Sequence, residues 1–139
     1  MSEMLFTSCY RNVGDLDRDK SLLVKISNSC PKEFDDCIRL EKAVPDWGLM
    51  VAPHKAGEIS DRVFEDRYVT QLDKYKENII AVIANMVKEH KDIYFLCWEK
   101  PKDFCHRHIF ARYVNSLLGK EVVTEYEPKP VTGTAKALF

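Results

Sequence analysis

Ile93-Tyr94-Phe95-Leu96-Cys97-Trp98-Glu99-Lys100-Pro101-Lys102-Asp103-Phe104-Cys105-His106-Arg107 is the stretch whose reading decides the fold. Its first five residues form an unbroken apolar run bounded by charge, the pattern of a strand buried on both faces of a mainly parallel sheet. A polar loop follows. From Asp103, a residue suited to an N-cap, Ile109, Phe110, Tyr113, Val114, Leu117 and Leu118 then recur at helical spacing up to Gly119, which is placed to end the helix. A strand that empties through a loop into a helix is half of a βα unit.

Outward from this junction the same grammar repeats. Met4 to Ser8 and Leu22 to Ile26 read as short buried strands, the second closed by the turn cluster Ser27-Asn28-Ser29-Cys30-Pro31. Residues 32 to 43 carry Phe34, Cys37, Ile38 and Glu41 at spacings compatible with a short helix, and Pro45-Asp46-Trp47-Gly48 breaks it. Ser60 caps a further helical pattern, with Ile59 and Phe64 as its hydrophobic staple. That pattern runs to about His90, as one helix or two, with Ile79, Ile80, Ile83, Met86 and Val87 on one face. Glu121 to Tyr126 gives a last strand. Strands alternating with helical segments imply an α/β fold: a Rossmann-like three-layer sandwich with a mainly parallel sheet, as a single domain over residues 1–127. Residues 128–139, with two prolines and a glycine, read as a loosely ordered C-terminal tail.

The 139 residues, 45% of them apolar, are enough for one core. A formal net charge of −1, from 21 basic and 22 acidic residues, argues against an electrostatic grip on duplex DNA and leaves a small anionic ligand open. Met1-Ser2-Glu3-Met4 lacks the basic patch and apolar stretch of a signal peptide, and no apolar run is long enough to span a membrane. A soluble, cytoplasmic protein is expected. Five cysteines, an odd number without paired spacing, point to reduced thiols rather than a disulfide scaffold.

In parallel sheets ligands sit beyond the carboxyl ends of the strands. Three loops emerge at that edge: Thr7 to Gly14, Ser27 to Pro31, and Trp98 to Arg107. With Asp103 as N-cap, Cys105 and His106 fall where helix amides lack internal partners, and those amides suit a phosphate or carboxylate. Arg107 adds a fork of donors for bidentate anion binding, unless it simply pairs with Glu99 or another carboxylate. Cys105, beside His106 at a helix start, has the surroundings of a nucleophilic thiol, with buried packing as the plainer alternative. A phosphatase-type Cys-x5-Arg loop would place arginine at 111; that residue is Ala111, and Arg112 comes one position late.

Glu99 is positioned to serve as a general base or to bind a ribose hydroxyl. Thr7, Ser8, Arg11 and Ser27 are further donors from neighbouring strand ends, or ordinary turn caps. Tyr68, Trp47 and Trp98 are candidates for stacking on a base, or core residues. Cys97, Cys105, His106 and His108 are zinc-ligand types, yet seven residues separate the two cysteines and no second cluster exists. No metal and no cofactor are expected. His54 and His90 are isolated.

Cys97-x-Glu99-Lys100 followed by Cys105-His106-Arg107 resembles the hallmark of the bacterial and phage domain-of-unknown-function family numbered 488. Thr7-Ser8-x-Tyr10, Ile26-Ser27 before Pro31, Leu49-x-x-Ala52-Pro53-x-Lys55 and Phe64-x-x-x-Tyr68 agree with it in order, over roughly residues 4 to 126. The resemblance implies a Rossmann-type α/β domain whose recurrent motif residues correspond to Cys97, Glu99, Cys105, His106 and Arg107. Many members open with Thr-Ile-Gly-His-Ser where this chain has Thr7-Ser8-Cys9-Tyr10-Arg11, so a first-strand histidine is missing.

The function expected is binding of a phosphate-bearing, nucleotide-derived small molecule at the Cys-His-Arg helix N-terminus. Thr7, Ser8, Arg11, Ser27, Cys97, His106, Arg107 and Tyr68 would contact the ligand. If the protein is an enzyme, Glu99 and Cys105 would cleave a glycosidic or phosphoester bond. Three alternatives stand beside it: a non-catalytic sensor or sequestering protein for a nucleotide signal in phage–host conflict, an accessory of nucleic-acid processing, and an interaction protein. A homo-oligomer is compatible with all of them.

Overall fold

β4 (Asp92–Cys97) can be apolar at every position from Ile93 to Cys97 because it runs between two strands and is covered on both faces. In the computed structural model, which describes residues 4–98 and 104–128, β4 pairs with β1 (Leu5–Cys9) and β2 (Ser21–Lys25). β3 (Ile38–Arg39) extends the sheet beyond β2, and β5 (Val123–Glu125) extends it beyond β1. The order is β3-β2-β4-β1-β5 and every pairing is parallel. The helices are α1 (Ala52–Lys55), α2 (Asp61–Lys74), α3 (Lys76–Val87) and α4 (His106–Leu118). This is the α/β, Rossmann-like sandwich expected from the strand–helix alternation, with the sheet parallel throughout.

The two faces are covered differently. Val24, Ile26, Ile93, Phe95 and Val123 pack with Phe64, Tyr68 and Leu72 of α2, Ile79 and Met86 of α3, and Ile109 and Phe110 of α4. The alternate residues Leu23, Tyr94 and Leu96 pack with Tyr10, Val13 and Phe34, which lie on the single 3-10 turns Tyr10–Val13 and Lys32–Phe34. One layer is thus made of helices and the other of one-turn segments. Among the described residues, no helix is long and apolar enough to cross a membrane.

Several local readings change. Residues 32 to 43 form no helix; they divide into the 3-10 turns Lys32–Phe34 and Glu41–Ala43 with β3 between them. Pairing with β2 wins there: the Leu40 amide donates to the Lys25 carbonyl at 2.9 Å, and Ile38 stays exposed. The pattern from Ser60 to His90 is two helices, separated at Tyr75, whose backbone (φ −109°, ψ 18°) leaves the helical range. Ser60 does cap α2, its side chain accepting from the Val63 amide at 3.2 Å. Gly119 ends α4 at φ 74°, a conformation glycine adopts without penalty. α4 is capped by Cys105 in extended backbone, not by Asp103, which lies outside the described residues together with the tail from 129 onward.

Candidate functional site

The carboxyl ends of β2 and β4 and the start of α4 enclose a cavity of about 180 Å³. Ser27, Cys105 and His106 line it from the sheet edge, and Trp47, Trp98 and Phe104 supply aromatic walls. His54 and Lys55, at the end of α1, complete it. Both indoles are half exposed, Trp47 at 52% and Trp98 at 49%. Trp98 is nonetheless fixed: its Nε1 donates to the Ser29 carbonyl at 2.9 Å, joining the loop after β4 to the loop after β2. Lys55 Nζ stands 5.5 Å from the Trp47 ring centre, a cation–π contact. His54 Nε2 pairs with Asp61 Oδ1 at 2.6 Å while its ring packs on Phe64 and Phe104.

Behind the cavity a line of polar side chains crosses the sheet edge inside the protein. His106 is buried and donates from Nε2 to the Ile26 carbonyl at the end of β2, its ring edge-on to Tyr68 at 5.6 Å. Burial holds its pKa down at about 4, against the opposing pull of the Ile26 bond and with help from Arg107 and His108. The ring is therefore neutral near pH 7, with its proton on Nε2 and the Nδ1 lone pair 4.0 Å from Cys105 Sγ. The Cys105 sulfur also accepts from the Arg107 amide at 3.5 Å, which is how a thiol-bearing residue caps α4.

Cys97, the last residue of β4, alternates onto the helix-covered face and meets Cys105, and the two sulfurs are joined across a Cα separation of 7.6 Å. The expectation of five reduced thiols thus fails at this pair, because the end of β4 and the start of α4 lie side by side. Arg107 is completely buried. Its Nη1 donates to Cys97 Sγ at 3.0 Å, and its Nε and Nη2 donate to Glu125 Oε2 at 3.2 and 3.0 Å. Glu125, on β5, also accepts from Thr7 Oγ1 at 2.8 Å.

Of the residues singled out from sequence, Ser27, Trp47, Trp98, Cys105 and His106 line the cavity. Ser27 Oγ is hydrogen-bonded to the Tyr10 hydroxyl and donates to the Ser29 carbonyl at 2.6 Å. Cys97, Arg107 and Thr7 form the buried line behind it. Arg107 therefore does not reach outward to an anion: a guanidinium with no exposed surface is held by an internal carboxylate and a sulfur. Ser8 bonds the Tyr126 carbonyl, and Tyr68, at no exposure, donates to the Ala43 carbonyl, so both are internal fasteners and not ligand contacts. Arg11 is exposed on the turn after β1 and does not line the cavity. Glu99 lies outside the described residues.

Sequence reasoning missed Glu125, His54, Lys55 and Phe104 as parts of this region. Glu125 had no distinguishing signal, being one of two glutamates in the stretch Glu121 to Tyr126. Lys55 had one in the Ala52-Pro53-x-Lys55 segment of the family resemblance, whereas His54 had none, since only the tertiary fold brings residue 54 beside residue 104. A larger hollow of about 650 Å³ lies between α2 and the turns before α1; Lys42, Arg67 and Tyr75 line it, and none of the ligand-binding or catalytic candidates read from sequence does.

The cavity thus has aromatic walls and a lysine, with the neutral His106 ring and the Cys105 sulfur at its foot, while the Arg107 charge behind it is offset by Glu125. The family model described as the active DUF488-N3 subclade matches residues 19–117, which include every described residue of the cavity. No curated protein and no solved structure matches the chain.

Proposed function

This chain belongs to the DUF488 family, and we propose that it holds a phosphate-bearing, nucleotide-type small molecule in the cavity above Cys105 and His106. The observation that carries the reading is the pair of half-exposed indoles beside a lysine. Large aromatic side chains left partly in water within a concave site are suited to stack on a planar ring, and stacking of this kind contributes about 1–3 kcal/mol per base. Lys55 and the positive end of α4 supply attraction for a phosphate. The cavity's 180 Å³ falls below the roughly 300–1,000 Å³ of sites that engulf a drug-sized ligand, so one ring enters and the rest of the molecule lies at the mouth.

Hydrolysis of the bound compound, with Glu99 as base, is the catalytic form of this proposal; storage or sensing is the non-catalytic form. Titrating the reduced protein with a nucleoside monophosphate, the parent nucleoside and inorganic phosphate, followed by tryptophan fluorescence and calorimetry, tests the binding. Saturable binding of the monophosphate is expected, weakened about 10- to 100-fold by Trp98→Ala and weakened by Lys55→Ala for the monophosphate but not for the nucleoside. No saturable binding, or affinity indifferent to both changes, sinks the proposal. Mass spectrometry of the ligand after long incubation separates the two forms, with Glu99→Ala binding but not converting it if the enzyme reading holds.

A further inference from the structure

We propose that, once a thiol reductant has given up two electrons to open the Cys97–Cys105 bond and has itself become a disulfide, the two freed thiolates and His106 form a binding site for one soft divalent cation of the zinc class, a reading independent of the nucleotide proposal. One ligand atom from each of the three lies within 4.8 Å of the others, and all three residues are buried. The seven intervening residues that discouraged a metal by sequence spacing are no obstacle in the fold, because strand end and helix start converge on one point.

Four features of the surroundings favour an ion. The Cys97 and Cys105 Cα atoms are 7.6 Å apart, beyond the about 4.4–6.8 Å that a relaxed disulfide spans, and two thiolates sharing one ion take up that difference. His106 is already oriented as a ligand: its Nε2 proton is committed to the Ile26 carbonyl, which leaves the Nδ1 lone pair directed to the sulfurs. Arg107 donates to Cys97 Sγ at 3.0 Å, the outer hydrogen bond that stabilises a metal-bound thiolate. Charge also balances, since Glu125 offsets Arg107 and a doubly charged ion offsets two thiolates. Zinc–sulfur bonds of about 2.3 Å hold two thiolates on one ion further apart than bonded sulfurs, so the ion enters only when the Cys97–Cys105 bond is open.

Cys105 and His106 also line the cavity, so the position left over by three protein ligands opens into it. A site of two cysteines and one histidine with an open fourth position is the arrangement of zinc that meets a small molecule, whereas purely structural sites are closed by four protein ligands.

The full chain, reduced and freed of metal by chelator, is titrated anaerobically with cobalt(II) and then with zinc against a metallochromic competitor. One equivalent of cobalt should give a thiolate charge-transfer band with tetrahedral visible absorption, and zinc should displace it. Cys97→Ser and Cys105→Ser should each weaken binding by more than the roughly 10- to 100-fold that loss of an outer partner costs, while the Cys30→Ser/Cys37→Ser double variant binds as the wild type does. In the unmutated protein, zinc should protect Cys97 and Cys105, and not Cys30 or Cys37, from alkylation, a readout that survives even if a serine variant misfolds. Absence of the thiolate band, equal protection of all thiols, or reclosure of the Cys97–Cys105 bond without metal uptake would overturn the proposal.

Discussion

Arg107 and Glu125 show how unevenly a buried ion pair responds to loss of either member. The guanidinium has no exposure at all, whereas the Glu125 side chain keeps 22% of its surface in water. Glu125→Ala strands a charge in the interior and should cost about 3–5 kcal/mol in urea unfolding. Arg107→Met fills the same space with an apolar chain and lets Glu125 hydrate, so it should cost clearly less; equal losses would mean that the pair is not the main tie. His106 adds a pH dependence. Its pKa of about 4 lies below the ordinary 6.5, so between those values the unfolded chain binds the extra proton. Its contribution to stability is thus complete above about pH 6.5 and shrinks as pH falls toward 4, by about 3 kcal/mol in all. Denaturant unfolding of metal-free protein at neutral and acid pH, compared with His106→Asn, should show that slope in the wild type alone.

At the scale of elements, α2 is fastened to the 3-10 turn Glu41–Ala43 by side chains as well as by packing. The Tyr68 hydroxyl donates to the Ala43 carbonyl, and Gln71 Nε2 reaches the Lys42 and Val44 carbonyls at 2.9 and 2.7 Å. Tyr68→Phe leaves a buried carbonyl without its donor and should destabilise the fold by about 1–3 kcal/mol in thermal or urea melts, with nucleotide affinity unchanged. A drop in affinity would restore Tyr68 to the ligand site. Elements with an internal signal were legible in the sequence: β4 from its apolar run, α4 from the stripe Ile109 to Leu118, and the start of α2 from Ser60. β3 was not, because two residues joined at a sheet edge carry no periodicity, and Ile38, exposed in the structure, mimicked a helical face. The Cys105 cap was hidden in the same way, since a sulfur accepting an amide is a rare substitute for the oxygen that Asp103 offers.

Across the whole molecule, the parallel order places β4 at the centre and makes the site a meeting of β2, β4, β1 and β5 ends. Topology was enough to say which edge carries polar chemistry; it could not say which polar groups face outward. Arg107 and Thr7 look inward because β5, added on the far side of β1, brings a carboxylate to them. Native-state hydrogen exchange should follow this architecture. Amides of β4, flanked by β2 and β1, should be the slowest, and those of the two-residue edge strand β3 among the fastest of the sheet. Uniform protection across both strands would show that the edge is held by more than its own pairing.

The Glu125 contact has one more consequence, which concerns the order in which the chain is made. Residues 5 to 118 contain both sulfurs, the imidazole and the guanidinium, but the carboxylate that neutralises the guanidinium comes from β5, which leaves the ribosome after all the other described strands. A nascent chain lacking residue 125 must either keep Arg107 in water or bury it uncompensated, and so cannot close the interior around Cys97. Completion of the site is coupled in this way to translation of β5, and chains halted ahead of it should remain open to protease.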